Sequence, residues 1–333
     1  MESAGLSLRT TLAMGLAILV GTAHAAGSGS LELAATVTLP EVTGRIDHFA
    51  VDLKDQRLFI AALGNDTVEV IDIANNRHVR SLKGFREPQG LIYLSQTGLL
   101  YVANGEGNRL DVLDGRRLEI ARRIEGLDDA DNVRYDATTG SVVVGYGKGA
   151  LRFLSAQTGE AAGDVRLPGH PESFQLEAAG GRAFVNVPTA EQITVVDRRN
   201  HKIIAKWPLS KASRNFPMSL DEKGRRLFVG TRSPAVMLVY DIDSGKVVAR
   251  VPIGGDTDDL FFDAVRKRVY VICGEGRLDV VRQESVDRYT PESSNKTAAR
   301  ARTGLFVPEL DTVYIAAPAE GSSPARVLVY QVK

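Results

Sequence analysis

Four short polar runs in this chain carry side chains able to do chemistry: Asp47-His48, Asp131-Asn132, Glu172 with His170 two residues before it, and Asp258-Asp259. Carboxylate and amide oxygens suit a hard cation such as calcium. The imidazoles of His48 and His170 suit zinc, copper or iron. A histidine facing a carboxylate can also act as a general base. His48 with Asp131 or Asp259 would do so, while strand alternation would turn Asp47 away from its neighbour. Arg45, Arg214 and Arg302, with Gln89 and Asn215, stand beside these runs or at their counterparts, and the arginines would hold an anionic group. The sequence has no H-x-H, C-x-x-C, H-E-x-x-H or G-x-S-x-G spacing, so no local motif assigns a metal or a nucleophile.

What would bring these runs together is a repeat. A five-residue pattern, small-or-basic, apolar, aromatic-or-β-branched, apolar, small, recurs around Phe59, Tyr101, Val143, Phe184, Phe228, Tyr270 and Tyr314, at steps of 42, 42, 41, 44, 42 and 44 residues. A period of about 40–45 residues in a strand-rich chain is that of propeller blades. Blade five shows the four strands: Met218-Ser219-Leu220-Asp221, Leu227-Phe228-Val229, Met237-Leu238-Val239-Tyr240-Asp241 and Val247-Val248-Ala249-Arg250-Val251, with Gly224, Ser233-Pro234 and Ser244-Gly245 between them. Asp72, Asp114, Asp197 and Asp241 each fall 13 residues after the central residue of their repeat and read as turn caps. Glu284 to Arg302 lacks apolar alternation and predicts a weak outer strand followed by a long loop.

Aligned on the residues that end the innermost strands, Asp52, Leu94, Asp136, Glu177, Asp221, Asp263 and Pro308, the polar runs occupy equivalent places four and five residues upstream. In a ring of blades those places converge on one mouth of the central channel. Asp47, Asp131, Glu172, Asp258 and Asp259 would then share it, and like charges that close destabilise unless something offsets them. The offset would come from Arg45, Arg214 and Arg302, from a bound cation, or from shared protons. Blades two and seven keep the plainer Pro88-Gln89-Gly90 and Thr303-Gly304.

The seventh repeat stops at its third strand, Val327-Leu328-Val329-Tyr330, and Ala34-Ala35-Thr36-Val37-Thr38-Leu39 offers the missing outer strand. The fold class expected is therefore all-β: a seven-bladed β-propeller of four-stranded antiparallel blades, its ring closed by the N-terminal strand in the last blade. The repeat, best seen in Gly98-Leu99-Leu100-Tyr101-Val102-Ala103-Asn104 and Gly224-Arg225-Arg226-Leu227-Phe228-Val229-Gly230, resembles that of the YVTN-type seven-bladed propellers, the YncE-like exported proteins. The resemblance implies the same fold over essentially the whole mature chain. It implies no single activity, because propellers host many.

Arg9, the apolar run Thr11 to Val20 and Ala23-His24-Ala25 form the three regions of a secretory signal peptide, expected over 1–25 with cleavage near Ala25. Residues 26–333 then form one propeller domain, periplasmic or secreted. No cysteine follows the cleavage point to carry a lipid, and no later stretch is long and apolar enough to span a membrane. Cys273 is the single cysteine, so no internal disulfide forms and the thiol reads as a buried strand-end residue. Lys plus Arg and Asp plus Glu number 41 each among 333 residues, a balance that offers no attraction for nucleic acid. Arg116-Arg117 and Arg122-Arg123 fall on or beside an outer strand. The Gly145–Gly149 and Gly105–Gly107 runs fall at hairpin turns and precede no helix, so neither is a phosphate loop. The expected function is an exported monomeric propeller that binds a small polar or cationic ligand, or a periplasmic partner, at the channel mouth. The alternative is a metal-assisted lactone-type hydrolase at the same place. No cofactor is assigned.

Overall fold

Each second strand carries an unbroken apolar run through its middle because it is covered on both faces. Leu58, Phe59, Ile60, Ala61 and Ala62 are all fully buried, and the equivalents in the other blades repeat this. Outer strands have one wet face, so Glu119–Glu125 alternates exposed and half-buried residues. These patterns build seven four-stranded antiparallel sheets in the computed structural model, which describes Met1, Glu2 and residues 30–333. The expected signal peptide lies outside the described residues. Each neighbouring pair of blades encloses its own apolar cluster. Phe59 and Leu100, for example, share one between blades one and two, and Tyr270 and Val313 share one between blades six and seven.

The ring closes as the sequence implied. Leu31–Leu39 pairs antiparallel with Ala325–Val332, completing the sheet that also holds Gly304–Val307 and Thr312–Ala317. The strand starts earlier than the apolar alternation alone suggests, because a bulge between Leu33 and Ala35 lets it continue. Cys273 ends a strand fully buried, and burial pushes its thiol up to about 12. The glycine-rich runs lie in the turns after Leu99–Asn104 and Ser141–Tyr146, as expected. Among the described residues no helix is long and apolar enough to cross a membrane.

Blade six corrects one expectation. Glu284–Arg302 is not a weak strand and a long loop. Arg277–Ser285 and Arg288–Lys296 form a nine-residue hairpin pair with a tight turn at Val286-Asp287. Its apolar alternation is replaced by ion pairs: Glu292 takes Arg268 at 2.7 Å and Arg282 at 2.9 Å. Charge pairing across strands can hold a register that an apolar pattern does not mark.

Candidate functional site

Innermost strands approach the channel mouth in two ways. In blades two, five and six the strand bulges there, between Pro88 and Leu91, Asn215 and Met218, and Thr257 and Asp259. The bulges release Gln89, Phe216 and Asp258 from the ladder toward the mouth. In blades one, three, four and seven the strand starts later, and the residues before it are irregular. Arg45, Asp47 and His48 precede Phe49–Asp52; Asp131 and Asn132 precede Val133–Asp136; His170 and Glu172 precede Phe174–Leu176; Arg302 precedes Gly304–Val307. Gly90 permits close approach between two of these leads, since a Cβ there would sit 2.1 Å from the Asp131 carbonyl oxygen.

Together they line a cavity of about 260 Å³ walled by Arg45, Gln89, Asp129, Asp131, His170, Glu172, Phe216, Arg232, Asp258 and Arg302. One bank is acidic with an imidazole. His170 Nδ1 donates to the Gly147 carbonyl at 2.7 Å and lies 3.3 Å from Asp129 Oδ2, while its Nε2 lies 3.7 Å from Asp131 Oδ2. Ligand atoms of Asp131, His170 and Glu172 all fall within 4.8 Å of one another. The lining also carries guanidinium groups, each paired with an aspartate. Arg45 pairs with Asp47 at 2.7 Å, Arg232 with Asp258 at 2.7 Å, and Arg302 with Asp256 at 3.0 Å. Arg232 also lies 3.8 Å over the ring of Phe216 and donates to the Thr257 carbonyl.

Behind the lining sits a buried layer. His48 Nδ1 is 3.3 Å from Asp259 Oδ2, and its Nε2 is 3.5 Å from Asp47 Oδ1 and 3.4 Å from Asn132 Nδ2. Asp259 Oδ2 also accepts the Gly304 N–H, and Asp131 Oδ1 accepts Asn132 Nδ2 at 3.3 Å. Both oxygens of Asp47 and the Asn132 Oδ1 are buried without a hydrogen bond among the described residues. Arg45 and Asp47 are thus close without being aligned for one.

Burial and crowding set the protonation. Desolvation raises Glu172 to about 8, with Asp131 and Asp258 adding repulsion. Desolvation also raises Asp258, to about 6, against the pull of Arg232. Asp47 is raised by the same burial. For His48, burial opposes the charged form, but Asp259 and Asp47 overcome it and lift the imidazole to about 10. His170 is lifted to about 9 by Asp131 despite burial. Asp131, held by the two histidines against its own burial, is lowered.

Most of the sequence-derived residues therefore meet: Arg45, Asp47, His48, Gln89, Asp131, Asn132, His170, Glu172, Asp258, Asp259 and Arg302. Two do not join them. Asn215 is fully buried and donates to Asn186 Oδ1 at 2.7 Å and to the Gln192 carbonyl, a strand-to-strand tie. Arg214 has a positive φ of 60° and an exposed side chain outside the cavity lining. The bulge that follows it turned the chain. Asp47 also faces His48 rather than turning away, because residues 45–48 precede the strand and do not alternate. Sequence reasoning missed Arg232, Asp129 and Asp256, and the alignment put Phe216 at the mouth without making it a candidate. Arg232 comes from a second strand, Arg226–Ser233, that runs eight residues where those of the other blades run six. The delayed turn former, Pro234, was the signal available.

No family profile matches the sequence, and no curated protein matches it. Solved structures do share its shape. A Kuenenia stuttgartiensis hydrazine synthase chain superposes with a TM-score of 0.75 at 15% identity, covering 86% of this chain and 97% of that one. A chain of a mitotic checkpoint complex superposes with a TM-score of 0.78 at 11% identity, covering 97% and 99%. The shared feature is the seven-bladed β-propeller fold. At such identities fold and function part company.

Proposed function

We propose that this chain is an exported propeller that captures a small ligand bearing separated positive and negative groups at its channel mouth. One observation carries the reading: a single 260 Å³ cavity is walled by Asp129, Asp131, Glu172 and Asp258 together with Arg45, Arg232 and Arg302. Polar groups converging on a concavity, several with displaced pKa values, are the usual mark of a binding site. None of them is required to form a strand. The volume suits a molecule of amino-acid size, far below that of a protein segment.

The leader pattern of Arg9, Thr11 to Val20 and Ala23-His24-Ala25 supports export, as does the resemblance of the repeat to the YVTN-type exported propellers. Periplasmic location would give the site free access to small solutes.

The test is a thermal-shift panel of zwitterionic amino acids, polyamines and dicarboxylates on the purified protein. A ligand at 100 times its Kd stabilises by about 2.7 kcal/mol, well within detection. The expected result is a rise in Tm with zwitterions that Glu172→Ala and Arg302→Ala each abolish. A flat panel, or a shift that survives both variants, defeats the reading.

A further inference from the structure

We infer that the acidic bank is a binding site for one divalent first-row transition metal ion, held by Asp131, His170 and Glu172. The inference rests on the reading of the mouth as a binding site and deepens it.

Three independent features of the bank support this. The first is convergence. Ligand atoms of the three residues lie within 4.8 Å of one another. Asp131 Oδ2 and His170 Nε2 stand 3.7 Å apart, too far for a hydrogen bond. With metal bonds of about 2.1 Å, that separation subtends a bond angle of roughly 124°, wider than tetrahedral but one an ion between the two atoms can span. The Glu172 carboxylate completes the three-residue group within that 4.8 Å limit.

The second is the orientation of the imidazole. His170 donates Nδ1–H to the Gly147 carbonyl at 2.7 Å. That bond directs Nε2 toward Asp131 and Glu172, where a bound metal would displace its proton. Metal-bound histidines are held in this way, with the outer nitrogen donating to a carbonyl or carboxylate. Here the outer partner is supplied by blade three and the histidine by the lead into blade four, so the fold itself fixes the ring.

The third is Asp131. The residue is only 6% exposed. Its Oδ1 accepts from Asn132, but its Oδ2 points at the cluster and accepts no hydrogen bond among the described residues. A carboxylate in so buried a residue is stabilised when a cation or donor meets its free oxygen.

The donor set narrows the metal. One imidazole and two carboxylates make a borderline set, suited to zinc, manganese or iron and poor for calcium, which takes six to eight oxygens. Three protein ligands also leave positions open toward the cavity. The guanidinium groups of Arg45, Arg232 and Arg302 wall the same cavity, so an acid group of a ligand could bridge metal and arginine.

The test uses metal alone. Purified full-length protein is stripped with a chelator, and Zn²⁺ and Mn²⁺ are titrated separately by calorimetry with no organic ligand present. The expected result is one site per chain for Zn²⁺, weaker for Mn²⁺ and weaker still for Ca²⁺. His170→Ala and Glu172→Gln should each weaken it by at least roughly 10–100-fold. Arg116→Ala, an exposed position outside the cavity lining, should leave it within about 3-fold. Absence of a site in the wild-type protein, or a site that survives both ligand variants, overturns the inference. Should His170→Ala fail to fold, Glu172→Gln alone decides. Zinc binding with a flat organic panel in both the stripped and zinc-loaded protein supports the metal site and ends the zwitterion reading. Zwitterion binding without zinc binding does the reverse.

Discussion

The two ends of the propeller channel are built from the same residue types and treat them in opposite ways. At the end away from the cavity, acids close the turns. Asp72, Asp114, Asp197 and Asp241 each accept backbone N–H groups two or three residues on, and their carboxyls are held below the ordinary range by the side chains of Asn75, Asn200 and Ser244 with those backbone groups, and for Asp114 by the Arg117 and Arg116 N–H groups. Glu177 and Asp136 are lowered too, against their burial, by Arg182 and by Thr138 with Arg198. At the mouth Asp47, Asp129, Glu172 and Asp258 are raised, and Asp131 is lowered where two histidines offset its burial. Acid content therefore says little about where a site lies. What separates the ends is whether the protein itself supplies each carboxylate with enough donors.

The sharpest way to break this comparison is to remove a donor from the satisfied end. Arg198 is 3% exposed and serves Asp136 at 2.5 Å as well as the Glu177 and Gly180 carbonyls. Arg198→Ala would leave a buried charge and two carbonyls unpaired, costing about 3–5 kcal/mol. At roughly 2–4 °C per kcal/mol, Tm should fall by about 10 °C, read by circular dichroism. A loss below about 2 °C would mean that the far end is no better tied than the mouth.

A middle-sized effect is expected in the pH dependence of stability. The lowered far-end acids contribute stability that is present above their unfolded pKa and is lost as pH falls through their folded values. His48, raised to about 10, works the other way. Its contribution is complete below an unfolded value of about 6.5 and disappears as pH rises through 10. Asp258, raised to about 6, likewise favours the folded state most below about 3.8 and loses that advantage as pH rises through 6. His48→Gln should therefore cost several degrees at pH 6 and progressively less toward pH 10. A difference from wild type that does not change with pH would show that His48 is not held charged by Asp47 and Asp259.

The smallest change in stability is expected from Glu172→Gln. The side chain has the shape of the protonated acid that burial already favours, so Tm near neutral pH should move by no more than about 2 °C. A drop as large as that of Arg198→Ala would make Glu172 part of the framework and erase the distinction between the ends.

The sequence carried the fold in its repeats, because the second strands are buried on both faces and tolerate little but apolar residues. It carried most of the mouth for a related reason: wherever strand-building places no demand, as at Asp47-His48 or Asp131-Asn132, a departure from the repeat stands out. It could not carry Arg232, which reaches the mouth from a lengthened second strand outside the aligned positions. Nor could it place Asn215 or Arg214, since a bulge of two residues reorients whatever precedes it. The outer strand of blade six read as weak because Arg268 and Arg282 on Glu292 stabilise it without an apolar period. Local pattern reports burial well and reports ion pairing across strands hardly at all.

The clasp between Leu31–Leu39 and Ala325–Val332 also sets a clock. The first strand made must wait for nearly the whole chain before its partner exists. Until then blade seven is unfinished, Leu39 and Val37 lack their cover, and the sheet has an open edge that other chains can pair with. A chain threaded through a translocation pore from its N-terminus would cross with its ring necessarily open, and would lock only after its final strand had followed. Closure is then the last event of maturation, and a truncation that removes a single terminal strand should leave a protein that is made, carried and never finished.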